Sequence, residues 1–224
     1  GDGVEDVLVS DEITPRFFPP PNHGRVVAYN GATGGFIYLV TGSSVYQDFF
    51  GHSMDVLSDI NGNGYPDFVV GEPGIFIGTG TVYVFDGLAG AIINTIPNPD
   101  LNGSAFGGSI ANAGDVNGDG FSDIVVGSAN GGTGKAYVFS GLTGTILFTL
   151  DPGIITGGSS EVAGGSDYNF DGINDFFVGS YQSNIIHIYS GANGALLTQI
   201  NGPASTSFGG IFDVGDFNGD SYGD

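Results

Sequence analysis

Cysteine is absent from this 224-residue chain, so no disulfide framework holds it together. Basic residues are nearly absent too. Arg16, Arg25 and Lys135 stand against 24 acidic residues, for a net charge of −21. With no basic patch to meet phosphates, nucleic acid is excluded as a partner. No apolar run approaches the roughly 20 residues of a membrane-spanning helix. No stretch shows helical periodicity. Only three histidines are present, and they are scattered. His52 and His187 fall in repeat slots that other units fill with Gly and Tyr, and His23 lies in a Pro-rich stretch. All three read as packing or surface variants. No Ser-His-Asp grouping, phosphate loop or zinc spacing occurs. The chain is expected to be no enzyme.

What the chain has instead is a nine-residue pattern repeated along its length. The full copies begin at Asp59, Asp115, Asp167 and Asp216, and a truncated copy opens the chain. Oxygen-bearing side chains stand at loop positions 1, 3, 5 and 9. In order they are Asp59, Asn61, Asn63 and Asp67; Asp115, Asn117, Asp119 and Asp123; Asp167, Asn169, Asp171 and Asp175; and Asp216, Asn218, Asp220 and Asp224. The truncated copy keeps Asp2 and Asp6 at positions 5 and 9. Position 6 is Gly except at Ser221 in the last copy, which must take a left-handed backbone at some cost.

Such an array suits a hard cation, because calcium takes six to eight oxygens and the Gly permits the sharp turn that folds them inward. Asp, Asn and Gly also make ordinary tight turns. Repetition with carboxylates at both ends of the loop favours metal binding, since such acids repel one another without a cation. Thirteen of the 24 acids lie at positions 1, 5 and 9 of these loops, so the charge is largely a cation-site signature. About four to five calcium sites are expected. Sites this polar need millimolar calcium, which points to an extracellular or cell-surface location.

An EF-hand would carry an acid at position 12, but here position 12 is Val70, Val126 and Val178. The loops run instead into short apolar segments, Phe68–Gly71, Ile124–Gly127 and Phe176–Gly179, which read as buried strands. The last Asp of each loop falls at 6, 67, 123, 175 and 224, a period near 50 that belongs to propeller blades or hairpin arrays. Each unit has the same order. A Phe-Gly step (Phe50-Gly51, Phe106-Gly107, Phe208-Gly209) precedes the loop and its apolar strand. An alternating strand such as Val82–Phe85 or Ala136–Phe139 follows, then a Gly-rich turn and a last strand. The third full unit has Ser160–Gly164 in the Phe-Gly slot, so its first strand is expected to pack differently.

This order resembles the FG-GAP repeat of the integrin alpha-subunit β-propeller and its bacterial relatives, over essentially the whole chain. The resemblance implies an all-β fold of β-propeller blades, each of four antiparallel strands. The units are approximately 1–44, 45–100, 101–157, 158–206 and a partial 207–224. It also implies a further calcium ligand, the carbonyl of position 7: Val4, Tyr65, Phe121, Ile173 and Tyr222. Asn63 takes the place of an acid, so the Asp59 site is expected to bind more weakly than its neighbours. The chain opens after loop position 3 and closes on position 9. A fragment of a longer propeller or array is therefore expected, with a closed four-blade ring as the alternative.

Function follows less sharply. The acid pairs recur identically in every unit, whereas a glycoside-hydrolysing site would occur once. The aromatics Tyr83, Phe85, Tyr137, Phe139 and Tyr189 recur at strand spacing and are expected in the core between blades rather than on a sugar platform. An extracellular adhesion or binding module with a protein or glycan ligand is expected first. A fibre or surface-layer subunit, self-associating through open blade edges, is second. The accessory propeller of a polysaccharide-active enzyme is third.

Overall fold

The apolar runs Phe68–Gly71, Ile124–Gly127 and Phe176–Gly179 all become strands. The computed structural model describes residues 3–11, 24–42, 49–74, 80–100, 105–128, 134–151, 161–180, 183–203 and 210–211. Fifteen strands form four separate antiparallel sheets among them, and no helix is present in the described residues. The first sheet is three-stranded: β1 (Val7–Asp11), β2 (Arg25–Tyr29) and β3 (Phe36–Thr41). The second has β4 (Met54–Leu57), β5 (Asp67–Glu72), β6 (Thr81–Phe85) and β7 (Ile92–Pro97) in sequential order. The third repeats this with β8 (Ile110–Gly114), β9 (Asp123–Ser128), β10 (Lys135–Phe139) and β11 (Ile146–Leu150). The fourth has β12 (Glu161–Ser166), β13 (Asp175–Ser180), β14 (Ile185–Tyr189) and β15 (Leu196–Asn201). This is the four-stranded meander of a propeller blade.

The blades stack through their faces. β5 and β9 are buried along their whole length, so successive side chains serve two different cores. Phe68 and Val70 point back to Val26 and Val40 of the first blade, while Val69 faces Phe106, Ile124 and Val126 of the third. Val125, Ala136 and Val138 then pack on Val162, Phe176 and Val178 of the fourth. The recurrent aromatics take the expected place: Tyr83 and Phe85, Tyr137 and Phe139, and Tyr189 are buried between blades. Each fully buried side chain of this size contributes about 2 kcal/mol of apolar burial.

The Phe-Gly steps work as wedges. Phe50 lies edge-on to Tyr83 and Phe85, and Phe106 to Tyr137 and Phe139. The step also meets the preceding blade backbone to backbone. A Cβ on Gly71 would lie 2.1 Å from the carbonyl oxygen of Gly107, and one on Gly80 would lie 2.2 Å from that of Phe106. The Val-Gly ending of the apolar strand is thus a seat for the next unit. The third full unit lacks a Phe-Gly step, yet β12 pairs with β13 much as β8 does with β9. Both pairs carry a bulge, between Gly164 and Ser166 and between Asn112 and Gly114.

The first strands of the blades lie side by side. Asn112 donates its N–H to Asp55 Oδ2 at 2.7 Å, and Val162 donates to Ser109 Oγ at 3.0 Å. Met54, Asp55, Ile110, Asn112, Glu161 and Val162 line an open cavity of about 580 Å³ along them. The loops connect the first and second strands of the second, third and fourth blades, and Gly114 and Asn174 beside them also line this cavity.

Candidate metal centre

Each loop is organised by its own carboxylates. Asp59 Oδ1 accepts the N–H groups of Gly62 and Asn63 at 2.7 and 3.0 Å, and its Oδ2 accepts that of Gly64 at 2.6 Å. Asp115 does the same with Gly118, Asp119 and Gly120. Asp167 accepts from Asp171 and Gly172. The position-5 N–H is shared with position 3: Asn63 bonds Asn61, Asp119 bonds Asn117 and Asp171 bonds Asn169, at 2.8–3.1 Å. The position-5 side chain in turn takes the N–H of position 7, seen at Tyr65, Phe121 and Ile173. Positions 1, 3 and 5 are therefore drawn together in every described full loop. The coil that does it needs left-handed backbone, supplied by Gly64, Gly120 and Gly172 at φ of 88–90°.

Position 9 is held differently. Asp67, Asp123 and Asp175 are 0–1% exposed, and each spans two parts of the blade. Asp67 Oδ2 accepts from Ile60 at 2.7 Å while Oδ1 accepts from Gly87 at 3.0 Å. Asp123 takes Val116, Asn117 and Gly141, and Asp175 takes Tyr168, Asn169 and Gly191. Burial pushes the Asp123 carboxyl up to about 6, against the opposing pull of its backbone donors. Asp67 and Asp175 are raised for the same reason. The turn glycine is obligatory, because a Cβ on Gly87, Gly141 or Gly191 would lie 1.7–2.0 Å from the carbonyl oxygen of loop position 8. In the sequence these glycines stand out only as members of a Gly-rich turn, and nothing local shows the close approach. Their recurrence after each third strand was the available signal.

The loops are also joined to one another. Ser58, just before the Asp59 loop, donates its N–H to Ser122 Oγ at 3.0 Å, and Ser122 returns its N–H to Ser58 Oγ at 2.8 Å. Ser122 is position 8 of the next loop. In the first two full loops position 2 is an anchor, with Ile60 and Val116 buried in the cores on either side of the third blade, whereas Tyr168 in the third is exposed.

Of the truncated loop, Val4 is exposed and Asp6 accepts the Gly31 N–H at 3.0 Å, as the other position-9 acids accept theirs. Asp2, Asp216, Asn218, Asp220, Tyr222 and Asp224 lie outside the described residues, as does the Phe208-Gly209 step.

The donor set fits a hard cation. Every candidate atom is oxygen: carboxylate, amide or backbone carbonyl. Among the described residues no loop carboxylate has a Lys or Arg partner; the ion pairs there are Arg25–Asp11 and Lys135–Asp100. In the Asp115 loop the partly positive amide of Asn117 bridges Asp119 Oδ2 and Asp123 Oδ1, at 2.9 and 3.1 Å. No three carboxylate or imidazole groups form a cluster by themselves among the described residues. A cation here would draw equally on the Asn oxygens and the position-7 carbonyl.

The repeat is recognised independently. The FG-GAP repeat matches residues 50–85 and 106–139, each running from a Phe-Gly step through the loop to the end of the third strand. Residues 50–85 and 106–139 are FG-GAP repeats. Over 156 residues the chain is 37% identical to integrin alpha-3 of Mus musculus, covering 62% of this chain and 14% of that protein. It is 31% identical over 159 residues to integrin alpha-PS5 of Drosophila melanogaster, covering 63% of this chain and 16% of that one. A 102-residue match to integrin alpha-7 of Homo sapiens is 40% identical, covering 41% of this chain and 8% of that one. The chain thus spans less than a fifth of the length of these relatives. Among solved structures, the Dos1 propeller superposes with a TM-score of 0.58 at 12% identity, over 84% of this chain and 45% of that one. That likeness shows the fold alone. The FG-GAP repeats here form propeller blades.

Proposed function

We propose that this chain is the calcium-binding propeller region of an extracellular adhesion or binding protein. Its loops bind calcium at positions 1, 3, 5, 7 and 9, and the cation stiffens a blade end rather than performing chemistry. The supporting observation is the recurrent loop, in which acids without basic partners gather around Asn63, Asp119 and Asp171 at three successive blades. The integrin alpha likeness supports an adhesion role and a protein or glycan ligand on one face of the blades. Catalysis is no part of this reading, because the polar residues that recur are the same in every unit.

Calorimetric titration of calcium into the metal-free protein tests the first half. The expected result is stoichiometric uptake by the loops, with dissociation constants of about 0.1–1 mM. No heat and no change in melting temperature would overturn it. Retention on immobilised matrix proteins or glycans in calcium, lost in chelator, tests the second half. Retention that chelator leaves unchanged would detach ligand binding from the loops.

A fibre-forming role is favoured by one observation. Val7, Val9, Phe36 and Leu39 of the first blade are 45–62% exposed, as are Leu196 and Ile200 of the fourth at 44–53%. Sedimentation that shows head-to-tail oligomers would support it.

A further inference from the structure

Asn63 and Asp86 depart from the other repeats in opposite directions. Loop position 5 is Asp119 and Asp171 in the later blades but Asn63 in the second. The residue opening the turn after the third strand is Asn30, Ser140 and Ser190 in the other blades but Asp86 in the second. The neutral and acidic residues have exchanged places, and they touch. Asn63 Nδ2 donates to Asp86 Oδ1 at 2.8 Å.

The amide orientation follows from the backbone, since Asn63 Oδ1 accepts the Tyr65 N–H at 2.9 Å. Asp119 Oδ1 and Asp171 Oδ1 hold the same bond to Phe121 and Ile173. The second position-5 atom is thus a carboxylate oxygen in the later loops. In the Asp59 loop it is an amide nitrogen, which is a donor only and cannot ligate a cation. Asp86 stands one hydrogen bond beyond that nitrogen. Its Oδ1 also accepts the Leu88 N–H at 2.9 Å, and its Oδ2 has no hydrogen bond among the described residues.

The turn itself does not need a charge there. Asn30 Oδ1 accepts from Thr33, Ser140 Oγ from Thr143 and Ser190 Oγ from Ala192, so a neutral acceptor closes it in the other blades. We infer that Asp86 is the third carboxylate of the Asp59 loop. Supplied from across the blade, it gives that loop the cation-attracting charge that Asn63 lacks. The loops are then matched in charge although they differ in sequence. This inference rests on the calcium reading of the loops.

The test is a calcium titration of the full chain labelled with ¹⁵N. The Gly64 amide, bonded to Asp59, reports the first full loop, and the Gly120 amide, bonded to Asp115, reports the second. Asp86→Asn keeps an acceptor for Leu88 and removes only the charge. It should weaken the Gly64 midpoint about tenfold, the effect of one unit charge a few ångströms from a dication, and leave Gly120 within about twofold. In chelator its melting temperature should match that of the parent, which a purely structural role for the carboxylate would not predict. The double variant N63D/D86S restores the pairing used by the later blades and should recover the Gly64 midpoint. An unchanged Gly64 midpoint in Asp86→Asn overturns the inference, and so does failure of the double variant to recover. If neither Gly64 nor Gly120 moves with calcium in the parent chain, the calcium reading itself fails.

Discussion

Gly87 donates its N–H to Asp67 Oδ1 at 3.0 Å, and a Cβ on Gly87 would lie 1.8 Å from the carbonyl oxygen of Pro66. The turn after the third strand is pressed against the end of the loop with no room for a methyl group. Asp67 has both oxygens committed to backbone donors on opposite sides of that contact. Gly87→Ala must therefore move backbone against backbone and break a bond to a buried carboxylate. We expect a loss of about 3 kcal/mol, in the large class of single-residue effects, measured by denaturant unfolding in chelator. A change under about 0.5 kcal/mol would show that the turn yields freely. Gly141→Ala and Gly191→Ala should behave alike.

The same turn ties two blades together. Tyr38 of β3 donates its hydroxyl to the Gly87 carbonyl at 2.7 Å. Tyr38→Phe should cost about 1 kcal/mol, the net value of one such bond. Burial, with Asp86, Asp6 and Asp67 nearby, pushes the Tyr38 phenol up to about 12, and burial does the same to Tyr189. In the unfolded chain both titrate near 10. Their contribution is full below pH 10 and is lost as the pH rises toward 12. Ultraviolet titration should show two phenols ionising late and together with alkaline unfolding. Normal ionisation in a folded chain would count against this packing.

Loop position 4 holds a strained residue. Gly62 and Gly118 take φ of 75° and 77° there, and Phe170 is forced to 63°. Its ring is 61% exposed, so little packing offsets the left-handed backbone. Phe170→Gly should raise stability by about 1 kcal/mol, the cost a side chain meets in that region. Thermal melting in chelator checks the sign. A lower melting temperature would mean that the ring does more for the fold than its exposure indicates.

Calcium removal should act on every blade that carries a loop. At ten times the dissociation constant one site adds about 1.4 kcal/mol, and four sites add about 5–6. That matches the whole net stability of many domains. Excess chelator should drop the melting temperature steeply, with partial recovery on adding back calcium. Superimposable melting curves would show that the loop hydrogen bonds suffice without a cation.

The local parts of this molecule were legible in the chain because they depend on short-range chemistry. A loop of Asp, Asn and Gly folds through bonds between residues two to five apart, as Asp115 with Gly120 shows. An apolar run such as Ile124–Gly127, short and rich in β-branched residues, reads as a buried strand. The period near 50 residues then gives the number of blades. The turn glycines and the Phe-Gly seat were visible only as recurrences. Their reason is a carbonyl distant in sequence pressing where a Cβ would be, as Pro66 does on Gly87 and Gly107 on Gly71. The roles of Asp67, Asp123 and Asp175 also went beyond the reading of them as ligands. Only the folded blade brings Gly87, Gly141 and Gly191 within reach of their carboxylates. The exchange between Asn63 and Asp86 shows the division most clearly. Position by position, the chain marks the Asp59 loop as one charge short. Antiparallel pairing of β5 with β6 returns Asp86 to the loop, because the strands that separate the two residues in sequence run back alongside each other in space.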